Sequence, residues 1–185
     1  MDQNIPKKDE REIRIQRAKL KSTIKIIIWV VITFIILGGI IYLSTRPKTP
    51  RPGEEFTILG QEHISIGASH APYNSNPPTS GPHYVQPAEW GVYQDELPDE
   101  QLIHNLEHGG IWISYKGIDD ETKSKIEALV KSYPVGLVIT PRLANDSPIT
   151  LASWGRLLKL DDFDEEKIKE FLKNNVNKSP EPLVR

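Results

Sequence analysis

The segment HNLEHGGIWISY, residues 104–115, decides the architecture, because its periodicity changes in the middle. His104 and His108 stand four apart, as one face of a helical turn requires. Gly109-Gly110 then ends the turn, and Ile111-Trp112-Ile113-Ser114-Tyr115 reads as a strand. Two imidazoles on one side of such a turn lie within reach of a single ion and stand on rigid elements. Glu107 points elsewhere from His108 on that turn, yet it can orient an imidazole, accept a proton or bind metal itself.

Towards the C-terminus, Glu121 to Tyr133 has apolar positions at Ile126, Leu129 and Val130 and reads as an amphipathic helix. Val135 to Thr140 is a second strand stopped by Pro141, and residues 149–160 supply strand material around Trp154-Gly155. Phe163 to Val176 reads as a terminal helix with Asp164 as its N-cap. The expected fold is therefore α+β or α/β, a small sheet covered by two helices.

Towards the N-terminus, residues 61–98 hold most of the turn chemistry: Asn76-Pro77-Pro78, Ser80-Gly81-Pro82, Pro87 and Pro98. A long Pro-rich loop inside a compact domain usually builds a site, and this one carries His63, His70 and His83. Before it, Arg46 to Gly53 has the composition of a stiff tether.

Residues 26–43, IIIWVVITFIILGGIIYL, are an uncharged run of 18 that would rise about 27 Å as a helix, close to the roughly 30 Å of a hydrocarbon core. It reads as a transmembrane signal-anchor in contact with the lipid bilayer. Residues 1–25 carry eight Lys or Arg against four acids, so the positive-inside rule places them in the cytoplasm and the C-terminal domain outside the cell membrane. The expected organisation is 1–25 basic cytoplasmic segment, 26–43 transmembrane helix, 44–53 tether, 54–176 outer domain and 177–185 flexible tail. The total charge of −2 leaves the chain beyond residue 25 at −6, which makes nucleic acid a poor partner for the outer domain. An envelope protein partner stays open.

All five histidines fall between positions 63 and 108. Such clustering points to a shared metal or catalytic site, with His83, His104, His108 and His63 as ligands. His70, Glu107, Tyr73 and Tyr84 are candidates for the shell around them. There is no cysteine, and the only methionine is Met1, so a soft copper(I) thiolate or thioether site is excluded; zinc and copper(II) lead among the ions that remain. The spelling His-x-x-Glu-His matches the inverted zinc-protease motif, but that motif needs a full helix and a later carboxylate, and glycine ends this helix at once. No nucleophile elbow, phosphate-binding loop or dinucleotide fingerprint is present. Arg142 and Arg156 follow strand-like segments and are candidate anion contacts, against the plainer reading of pairs with nearby acids.

Several of these segments together resemble the uncharacterised bacterial family DUF3105. They are His63-Ile64, Tyr73 through Pro77-Pro78-Thr79-Ser80-Gly81-Pro82-His83, Gly91-Val92-Tyr93, His104 through Gly110 followed by Trp112 to Tyr115, Val138 through Arg142 and Ala152 through Arg156, and the resemblance runs from about Glu54 to about Asn175. The resemblance implies an N-terminal anchor and leaves activity open. The functional expectation is a membrane-anchored extracytoplasmic protein that binds a transition metal through clustered histidines. The alternatives are a metal-dependent hydrolase or oxidoreductase, with Glu107 as its catalytic group, and a metal-free structural module of the envelope.

Overall fold

The computed structural model describes residues 7–45, 50–133 and 135–183, leaving aside the side chains of residues 7–10 and 130. Residues 1–6 of the basic segment, 46–49 of the tether and 184–185 of the tail lie outside the described residues. The chain divides into two units, residues 1–49 and 50–185.

The first unit contains helix α1, Lys7–Thr45. Among the described residues it is the one helix long and apolar enough to cross a membrane. Its hydroxyls do not waste hydrogen bonds: Thr33 donates to the Trp29 carbonyl at 2.9 Å and Ser44 to that of Ile40 at 2.8 Å. In lipid, where water cannot serve a polar group, such bonding to the preceding turn is the available solution.

In the second unit the element order is β1 (Glu54–Glu55), β2 (His63–Ile64), β3 (His83–Tyr84), β4 (Gly91–Val92), α2 (Asp99–Glu107), β5 (Ile111–Tyr115), α3 (Asp120–Ser132), β6 (Leu137–Pro141), β7 (Ile149–Ser153), β8 (Arg156–Leu160) and α4 (Glu165–Asn175). Six strands form a mixed sheet in the order β1-β8-β7-β5-β6-β4. Strands β5 and β6 are parallel and joined through α3, the crossover that parallel neighbours require. Strands β7 and β8 are an antiparallel hairpin turning at Trp154-Gly155. Strands β2 and β3 pair with each other as a short parallel ribbon outside the main sheet.

Strand β5 is buried at every residue. Its alternation divides the core: Ile111, Ile113 and Tyr115 join a cluster with Ile126 and Leu129 of α3 and Ile168, Phe171 and Leu172 of α4. Trp112, one step out of phase, joins Leu102, Ile103 and Leu106 of α2 together with Ala88, Val138, Ala152, Trp154 and Leu157. The sheet is thus covered on both faces, as a continuously apolar strand demands. Helices α3 and α4 begin on side-chain caps, Asp119 accepting from the Thr122 amide and Asp164 from that of Lys167.

The expectation of a small sheet covered by two helices is corrected here. Among the described residues there are four separate helices, and three of them, α2, α3 and α4, belong to the unit that carries a six-stranded sheet. The additional helix is α2. Its nine residues lack a clean apolar stripe because His104, Asn105 and Glu107 are buried beside Leu102, Ile103 and Leu106, so hydrophobic periodicity alone underestimates it. The Pro-rich loop likewise contains β2, β3 and β4, each only two residues long.

Phe171 is fully buried where α4 meets the sheet. Phe171→Ala is expected to lower stability by about 3–5 kcal/mol, read from urea unfolding followed by tryptophan fluorescence.

Candidate metal centre

The β2–β3 ribbon sets its register as His63 opposite His83 and Ile64 opposite Tyr84. Because strand side chains alternate, both histidines emerge on one side of the ribbon. Helix α2 lies against β3 and contributes His104 and, three residues on, Glu107. Nitrogen or oxygen atoms of His63, His83, His104 and Glu107 all lie within 4.8 Å of one another. His83, His104 and Glu107 are buried, whereas the His63 side chain keeps 45% of its exposure.

Hydrogen bonding fixes which ring nitrogen faces the centre. His83 Nδ1 lies 2.8 Å from the Gly81 carbonyl and His104 Nδ1 lies 2.7 Å from the Tyr84 carbonyl. A carbonyl can only accept, so each Nδ1 donates, and in a neutral ring Nε2 is left with its lone pair. His83 Nε2 stands 3.0 Å from Glu107 Oε2, and His63 Nε2 stands 3.6 Å from the same oxygen. The other carboxylate oxygen, Oε1, accepts from Gln61 Nε2 at 2.8 Å. A lone pair and a carboxylate oxygen this close, and out of water, need a proton or a metal ion between them.

Three rings surround this point. His63 and His104 are stacked with centroids 5.1 Å apart, and His83 is edge-on to both. Burial, the first cause, holds the His104 pKa below its ordinary value; the neighbouring His108 and His83 act in the same direction, against the Tyr84 carbonyl. A depressed value keeps the ring neutral near pH 7, the form that binds metal.

This donor set rests on the segments that resembled a known family, and the comparison bears that out: residues 65–185 match DUF3105, described as a protein of unknown function. The chain belongs to that family. No curated protein and no solved structure matches it. Within this DUF3105 protein, His83, His104 and Glu107 lie in the matched residues, while Gln61 and His63 precede them.

His108 is brought to His104, as the four-residue spacing requires, with the two Nε2 atoms 2.7 Å apart. It stands outside the four-residue group, and its other nitrogen lies 3.3 Å from the Glu181 carbonyl. His70 is not brought to the centre. Its Nε2 meets Glu100 at the opposite end of α2, at 3.2 Å, and its Nδ1 the Ala71 carbonyl at 2.8 Å. Tyr73 donates to the Pro82 carbonyl at 2.6 Å and so braces the turn before His83; burial raises its pKa. Gly81, at φ +118°, lies under that tyrosine, where a Cβ would approach the ring to 3.1 Å. Tyr84 serves through its backbone carbonyl, and its hydroxyl meets the Gly67 amide.

Two further polar groups lock α2 in place. Asn105, buried, exchanges both side-chain bonds with the Ala88 backbone, at 2.9 and 2.8 Å. Arg142 forms a fork on Asp99 with bonds of 2.8 and 2.7 Å and donates to Asn76 and Asn145. Arg156 donates to the Arg51 and Gly53 carbonyls and to Glu55. Both guanidinium groups are therefore engaged within the protein. Gln61 and Asn105 escaped the sequence reading. For Gln61 a signal existed, since it stands two residues before His63 and an extended chain puts both on one side.

The Ala71 carbonyl first, and Glu100 second, raise the His70 pKa above its ordinary 6.5. A raised folded-state value means that this interaction stabilises the fold below about pH 6.5 and is lost as pH rises through the higher value. Thermal midpoints measured against pH should show that loss in the native chain, and His70→Asn should flatten it.

Proposed function

We propose that this DUF3105 protein is a membrane-anchored metal-binding protein whose outer domain holds one transition-metal ion between His63, His83, His104 and Glu107. The observation that carries the reading is the meeting of His83 Nε2, its Nδ1 held by the Gly81 carbonyl, with the buried Glu107 carboxylate, in a group that donor atoms of His63 and His104 complete within 4.8 Å. Metal-binding imidazoles are commonly oriented in this way, by a hydrogen bond to the nitrogen that does not bind. Gln61 plays the corresponding part for Glu107.

Three imidazoles and a carboxylate suit zinc, which accepts mixed nitrogen and oxygen ligands, and also copper(II). Four protein donors complete zinc's usual tetrahedral set, which favours holding the ion over hydrolysis at an open position. Bound there, the ion would tie the loop carrying His63 and His83 to α2, so that binding free energy becomes folding free energy. The half-exposed His63 is the side from which an ion can enter. The basic residues in the first half of α1, before its apolar run, support an orientation with the N-terminus in the cytoplasm and the metal domain on the outer face.

Full-length chain purified in detergent without a polyhistidine tag is expected to contain close to one equivalent of zinc or copper. A chelator should lower its thermal midpoint, and ion at about 100 times its dissociation constant should restore about 2.7 kcal/mol. His83→Ala and Glu107→Gln should each reduce metal content. A folded chain that neither contains nor takes up zinc, copper, nickel or iron overturns the reading.

Protease added to spheroplasts should remove the domain beyond residue 45. Complete protection of the C-terminus would reverse the orientation.

A further inference from the structure

The last turn of a helix leaves carbonyl groups without partners inside the helix. At the end of α2 the chain itself serves three: the His108, Gly109 and Gly110 amides donate to the carbonyls of His104, Leu106 and Asn105. The next three carbonyls, of Glu107, His108 and Gly109, are met by the C-terminal segment. Glu181 donates to Glu107 at 3.2 Å, Leu183 to His108 at 3.0 Å and Asn177 to Gly109 at 2.9 Å.

The sequence of that segment fits this arrangement closely. In Ser179-Pro180-Glu181-Pro182-Leu183 the prolines have no amide hydrogen, so beyond Ser179 the backbone donors as far as Leu183 are those of Glu181 and Leu183. Both are the ones engaged. Prolines at the alternate positions hold the chain extended at little further cost in entropy, as on the edge of a sheet. Gly109, at φ +87°, admits the crossing, because a Cβ there would stand 2.6 Å from Asn177 Oδ1 and 2.9 Å from its Cα. The Glu181 carbonyl also faces His108 Nδ1.

We propose that residues 177–183 are a positioning strap for the metal centre. By fixing the backbone of Glu107 and His108, the strap sets where the Glu107 carboxylate stands relative to His83 and His63, and where His108 stands relative to His104. The proposal rests on the metal-binding reading above. Its residues act through Glu107 and His108 and do not touch the ion.

Cobalt(II) titrated into the full-length, metal-free chain in detergent, followed by its visible spectrum, provides the test. Replacing Glu181 and Leu183 together by proline deletes both amide donors. Replacing both by alanine keeps the donors and deletes the side chains. The proline pair is expected to weaken cobalt binding on the order of ten- to a hundredfold and to change the spectrum. The alanine pair should bind as the native chain does, and the thermal midpoint of the ion-free protein should stay within a few degrees in both. Unchanged binding and spectrum in the proline pair overturns the strap, as does an equal loss in the alanine pair. If the native chain takes up neither cobalt nor zinc, copper, nickel or iron, the metal reading fails by itself. The strap is then decided by histidine ring NMR signals: His104 and His108 signals displaced in the proline pair uphold it, and unmoved ones overturn it.

Discussion

Burying a carboxylate among imidazoles is the constraint around which this domain is organised. Glu107 is almost fully removed from solvent, and an ionised group in that position is sustained only by opposite charge and directed hydrogen bonds. Gln61 supplies a bond to one oxygen and the imidazoles of His83 and His63 confront the other. Gln61 and His63 come from one segment, His83 from a second and Glu107 from α2. The Pro-rich segment must therefore be threaded accurately against α2 before the carboxylate is accommodated.

The sheet makes such threading attainable. Strand β5 leaves directly from the glycines that end α2, and its neighbours β6 and β7 hold it on both sides, so the far end of the ligand helix is fixed to the most buried part of the core. The β7–β8 hairpin reaches back in turn: the Gly155 amide donates to Thr79, and the Phe56 amide to Gly155. The loop that carries His83 is thus attached to a tight turn of the main sheet as well as to α2.

The regular half of the domain was legible because its burial follows simple periods. The strand at Ile111–Tyr115, the α3 and α4 helices and the Asp164 cap are found where apolar spacing and capping chemistry put them. The site was legible as a cluster of residue types, but sequence proximity does not reveal which side of a ribbon a residue takes. His70 lies seven positions after His63 yet ends beside Glu100. Glu107, read as turned away from His108, faces His83 because the partner that matters arrives from β3 and not from α2 itself. Gln61 and Asn105 have no motif, since their roles depend on contacts 46 and 17 residues away.

Arg142 adds a different kind of coupling. Its guanidinium joins Asn76, in the proline turn before His83, to Asp99, which opens α2, and to Asn145. Arg142 is buried and Asp99 partly exposed, so removing Asp99 leaves a buried charge short of its partner, a loss that stays below the roughly 3–5 kcal/mol of a fully buried pair. Exchanging the whole set for well-packed apolar groups, by contrast, can be nearly neutral. A lineage that drifts away from this arrangement must therefore cross a valley, since positions 99 and 142 are unfit when changed singly. Among descendants of such a chain, these two positions should be inherited as a unit, with position 76 following them.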